Sequence, residues 1–64
     1  MDGVVTAFDE HRCLGTVTAG DEDYPFHCTA IADGSRTIEV GIEVRFEVVA
    51  GLMGRWEARR VEPR

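Results

Sequence analysis

Lysine is absent from this chain, so its fixed positive charge rests on seven arginines, set against twelve carboxylates for a net charge of −5. Phosphate backbones are held mainly by Lys and Arg that release counterions, so an acidic chain forgoes much of that attraction. Cysteine is scarce as well. Cys13 and Cys28 are too few for the disulfide framework of a small secreted domain, and neither a Cys-x-x-Cys pair nor a four-ligand zinc spacing is present. The longest apolar stretch, residues 48–54, contains two glycines and falls far short of the ~20 residues of a membrane span. Met1-Asp2-Gly3 is acidic and lacks the charged-then-apolar pattern of a secretion signal. A soluble, cytoplasmic protein with reduced thiols is expected. No phosphate loop and no nucleophile–base pair is visible, and Asp9-Glu10 and Asp21-Glu22-Asp23 read as solvated charge in turns. The chain is therefore not expected to be an enzyme, nor to hold a cofactor, a metal or a small-molecule substrate. Its 64 residues predict one domain over 1–64, of a size that buries only about 60% of its unfolded surface.

Short β-type runs broken by turn signals fill that length, which is the all-β pattern. Val4 to Phe8 is β-branched and aromatic, Leu14 to Thr18 is a second run, and Tyr24 to Cys28 is a third. Between the last two, Gly20-Asp21 suits a two-residue hairpin turn of the glycine-first type II′. That turn sets a register in which Thr16 faces Pro25, Leu14 faces His27 and Cys13 faces Cys28. Thr16–Pro25 is then a non-hydrogen-bonded pair, so the proline's missing N–H costs nothing within the hairpin. Thr29 to Ala32 reads as a helical turn and Asp33-Gly34-Ser35 as a loop. From Ile42 to Val48, apolar and charged residues alternate, giving one buried and one wet face. Gly51 to Gly54 is a loop, and Arg55 to Val61 a last strand. Five strands without a long helix predict a small antiparallel barrel.

The same residues resemble the cold-shock domain family along nearly the whole chain. Gly3-Val4-Val5-Thr6-Ala7-Phe8 stands where that family has Gly-x-Val-Lys-Trp-Phe. Arg12-Cys13-Leu14-Gly15-Thr16-Val17 stands on Lys-Gly-Phe-Gly-Phe-Ile, and Asp23-Tyr24-Pro25-Phe26-His27-Cys28-Thr29-Ala30-Ile31 on Asp-Val-Phe-Val-His-Phe-Ser-Ala-Ile. Asp33-Gly34, Gly41 and Val44-Arg45-Phe46 follow without a gap. The resemblance implies an all-β fold, a five-stranded antiparallel OB-like β-barrel, and binding of single-stranded RNA or DNA by base stacking. The stacking rings are mostly replaced: the tryptophan by Ala7, the phenylalanines by Leu14, Thr16, Pro25 and Cys28. Each ring contributes roughly 1–3 kcal/mol per base, so binding is expected to be weak and to show little sequence preference.

The expected nucleic-acid contacts are Phe8, Arg12, Leu14 and His27, with Arg55, Arg59 and Arg60 as phosphate ligands. Residues 55–64 carry four arginines against two carboxylates, whereas residues 1–54 carry three against ten. A solvated terminal strand in an Arg-favouring chain explains that cluster more readily than a phosphate-contacting edge. His27 is otherwise an idle surface histidine, and Trp56 either packs in the core or at the barrel edge or stands out as a base- or protein-contacting anchor. Tyr24 and Phe26 alternate away from His27 and belong to the core. Cys13 and Cys28 read as paired small core thiols, as a redox-switchable disulfide or, with His11, as metal ligands. A protein partner is the alternative to nucleic acid, because Leu14, Thr16 and Pro25 suit a mildly apolar contact better than a base stack.

Overall fold

A computed structural model describes residues 1–51 and 54–64. Five strands follow one another: β1 (Asp2–Asp9), β2 (Leu14–Ala19), β3 (Glu22–His27), β4 (Glu43–Ala50) and β5 (Trp56–Pro63). One turn of 3₁₀ helix, Cys28–Ala30, follows β3. The strands form a single sheet in the order β3-β2-β1-β4-β5, with every ladder antiparallel. The sheet curls until its edges meet at one parallel bridge, Ile31 to Val61, where the Ala32 N–H donates to the Val61 carbonyl at 2.8 Å. Elsewhere β3 and β5 stand apart, so the barrel is only partly closed. The loop expected over Gly51 to Gly54 includes Leu52 and Met53, which lie outside the described residues.

The β2–β3 hairpin takes the register expected of its turn. Gly20 has φ 63°, while Asp21 is not among the positive-φ residues, as a type II′ turn requires. Leu14 pairs with His27, Gly15 with Phe26, and Thr16 with Pro25. The Cys28 N–H donates to the Cys13 carbonyl at 2.8 Å. Counting in steps of two from that bond makes Thr16–Pro25 a non-hydrogen-bonded pair. The proline thus turns its missing N–H toward the open edge of β3, where it also discourages pairing with a stray strand.

Two bulges decide which residues reach the core. Between Val5 and Ala7 strand β1 gains a residue on β2, so Thr6 and Ala7 are both exposed and Phe8 turns inward. Between Arg45 and Glu47 strand β5 gains a residue on β4. Arg59 and Arg60 are both exposed there, between buried Ala58 and Val61, and Arg60 takes φ 53°. A bulge of this kind increases twist and re-aims the side chains beyond it. The inward residues close a core of Val5, Val17, Phe26, Cys28, Ile31, Val44, Phe46, Ala58 and Val61.

Gly15 completes the arrangement. It lies between Phe8 on β1 and Phe26 on β3, and a Cβ on it would run into the Phe26 ring. Without a side chain there, the two rings stack over the glycine, centroids 6.1 Å apart and 13° from parallel. Tyr24 packs on Phe46 at a tilt, centroids 5.5 Å apart and 51° from parallel.

Candidate nucleic-acid interface

On the outer side of β2 and β3 three rows of side chains lie side by side. At one end Leu14, 48% exposed, faces an exposed His27 across the hairpin. The ring of His27 is held in place. Its Nδ1 accepts from the Thr29 N–H at 3.3 Å and lies 3.0 Å from the Thr29 hydroxyl, so it caps the 3₁₀ turn. Accepting at Nδ1 puts the proton of the neutral ring on Nε2. Thr16 and Pro25 make the middle row. The third row is a chain of hydroxyls: Thr18 donates to Asp23 Oδ1 at 2.7 Å, and the Thr6 hydroxyl lies 2.9 Å from that of Thr18. A carboxylate only accepts, so Thr6 donates to Thr18.

Beyond the middle row the separation of β3 from β5 opens a groove of about 670 Å³. Thr16, Tyr24 and Pro25 form one wall, Gly54, Arg55 and Trp56 the other, and Glu22 and Asp23 stand at its margin. Trp56 is 61% exposed. It shares the parity of Ala58, whose side chain is buried, but it lies at the start of β5, past the end of the core. Trp56 is thus exposed rather than packed in the core.

Of the residues expected to contact nucleic acid, Leu14 and His27 meet on one face, and Arg55 lies across the groove from that face. Phe8 does not join them. It turns inward, half-buried on Phe26, because the bulge at Thr6 reverses the alternation of β1 and Gly15 leaves room for its ring. Arg12 is exposed on the β1–β2 turn with its Nε 4.0 Å from Asp9 Oδ2. Arg60 pairs with Glu47 at 3.7 Å, and Arg45 and Arg64 each lie 3.8 Å from Asp2. These exposed pairs are worth about 0–1 kcal/mol each, and each sets a carboxylate beside the cation. Arg59 stands opposite Glu47 in the ladder. Sequence reasoning left Tyr24 out of the interface as a core residue. It is half-buried, and its position shows on the groove wall only because the edges separate there.

Both thiols are free. The Cys28 side chain is buried, and its thiol is pushed up from its ordinary pKa by a hydrogen bond with Cys13 and by burial. Among the described residues no group of three or more His, Cys, Asp or Glu side chains could hold a metal ion. No helix there is long and apolar enough to cross a membrane. No family model matches the chain, and no curated protein matches it.

Proposed function

We propose that this protein is a binding module, without catalysis, that takes single-stranded RNA or DNA weakly and with little sequence preference. The carrying observation is the exposed Trp56 beside Arg55, over an open groove on the β2–β3 face. Five-stranded, partly open barrels of the OB type take oligonucleotides on that face and at the loop between their last two strands. The cold-shock resemblance points to the same ligand. An indole supplies a π-face that any base can stack on, and a guanidinium beside it supplies a phosphate contact. His27 and Trp56 would hold bases at the two ends of the Thr16–Pro25 pair. Arg12, Arg59 and Arg60 would add charge at the periphery, and Leu14 an apolar contact. We place this activity in the cytoplasm, whose reducing conditions suit two free thiols.

Trp56 is the only tryptophan, so its fluorescence reports the groove alone. Short single-stranded oligonucleotides at low salt are expected to quench it. With two or three phosphate contacts the slope of log affinity on log salt should be about −1.4 to −2.1. Unchanged fluorescence together with no binding at low salt would refute the reading. A second reading, a module that binds a protein partner, is favoured by a different observation. Leu14, Thr16 and Pro25 carry no aromatic ring of their own, and the surface they form is flanked by Asp9, Glu22 and Asp23. That reading expects no response to oligonucleotides, even after rings are restored at those three positions.

A further inference from the structure

We propose that Cys13 and Cys28 are a thiol pair that closes reversibly to an intramolecular disulfide under peroxide. The two residues are hydrogen-bonded neighbours across the mouth of the β2–β3 hairpin, Cys28 N–H to Cys13 carbonyl at 2.8 Å. That bond holds the two backbones at the spacing of neighbouring strands, about 4.8 Å, inside the span a disulfide bridges. Their side chains turn the same way. Cys28 is buried, and half-buried Cys13 packs on the same core. The backbone at Cys13 adds a separate observation. It has φ 55°, a left-handed conformation that glycine takes without steric cost and cysteine does not. A thiol therefore occupies a turn position where its own backbone is strained.

Half-exposed Cys13 meets the oxidant first. Its thiolate attacks one oxygen of hydrogen peroxide, the O–O bond breaks, and sulfenic acid forms as hydroxide leaves and takes up a proton to become water. The Cys28 sulfur then attacks the sulfenic sulfur, the S–O bond breaks, and the departing hydroxide takes the Cys28 proton and leaves as a second water. Two thiols are oxidised, one peroxide is reduced, and a dithiol reductant reverses the change. The bridge ties the turn after β1 to the start of the 3₁₀ turn, immediately beside Leu14 and His27. It does not depend on what the outer face binds.

The test uses the wild-type chain, treated with hydrogen peroxide under native conditions and followed by intact mass and thiol titration. Loss of two hydrogens and of both thiols in a monomer, restored by dithiothreitol, is expected, with a higher melting temperature for the bridged form. Cys13→Ser should abolish the mass change, and Cys28→Ser should leave Cys13 to accumulate oxygen adducts. Disulfide-linked dimers, sulfinic acid at Cys13 with Cys28 still titratable, or a bridged form that melts lower would each overturn the proposal.

Discussion

The β2–β3 hairpin keeps its register without interruption from Ala19–Glu22 to Leu14–His27, whereas β4–β5 slips by one residue between Arg45 and Glu47. The first hairpin is governed by its turn. Gly20-Asp21 permits one two-residue geometry, and every pair outward follows from it. The second has a longer connection and no such constraint. Its register answers to the core, since Val61 is buried only because Arg60 is bulged out. Local chemistry thus determines a face where the turn is tight, and burial determines it where the turn is loose. The aromatics follow the same division. Phe26 is core because of its register, and Trp56 is exposed because its strand starts beyond the core.

The largest expected effect separates those two rings. Phe26→Ala removes a ring that fills the space over Gly15, and should cost about 3–5 kcal/mol, enough to unfold a domain this small. Trp56→Ala should move stability by no more than about 0.5 kcal/mol. Urea titrations followed by far-UV circular dichroism measure both. Comparable losses for the two variants would mean that Trp56 is a core residue and the groove does not exist as described.

Next in size is the Cys13–Cys28 bridge. It closes a loop of about 15 residues, and in the chain-entropy account this stabilises by up to roughly 3 kcal/mol. The comparison predicts that the gain is concentrated in β2–β3. Amide exchange should slow most from Leu14 to His27 and least in β4–β5, and uniform slowing would contradict a hairpin-local effect.

Binding gives the third. Trp56→Ala should lose about 1–3 kcal/mol of oligonucleotide affinity while leaving the melting curve in place. Leu14→Phe, Thr16→Phe and Pro25→Phe together should raise affinity by restoring π-faces to the regular hairpin. Titration of all three proteins at one salt concentration decides it. A wild-type chain that binds nothing, joined by a triple variant that binds nothing, would select the protein-partner reading.

The smallest effect tests the bulge. Arg60 holds a left-handed backbone that costs a non-glycine residue roughly 1–2 kcal/mol, partly offset by its exposed pair with Glu47. Arg60→Gly should therefore gain up to about 1 kcal/mol, seen as a higher urea midpoint at unchanged slope. A lower midpoint would show that Arg60 contributes more through its side chain than it loses in its backbone.

Much of the fold was legible from residue order alone. Gly20-Asp21 predicted the pairing of Leu14 with His27, and the alternation from Ile42 to Val48 placed Val44 and Phe46 inside. Phe8 was not legible in this way. Regular alternation from buried Val5 puts Phe8 outside, and nothing in Val5-Thr6-Ala7-Phe8 marks an extra residue. The bulge at Thr6 brings Phe8 over Gly15 and onto Phe26, a packing possible only when β1, β2 and β3 lie side by side. Trp56 was left open for a related reason. Parity along β5 says which way a side chain points, but not whether the core extends far enough to meet it.

What the residues determined by themselves is whatever depends on near neighbours: the β2–β3 turn, the face shared by Leu14, Thr16, Pro25 and His27, and the closeness of Cys13 to Cys28. Each follows from the steric limits of a two-residue turn and the period of two in a strand. The tertiary structure alone decided the inward turn of Phe8, the outward pair Arg59 and Arg60, and the groove beneath Trp56. These depend on where a curled sheet brings its edges together and on which bulges let large side chains reach a shared core, a balance struck over the whole chain rather than within any segment of it.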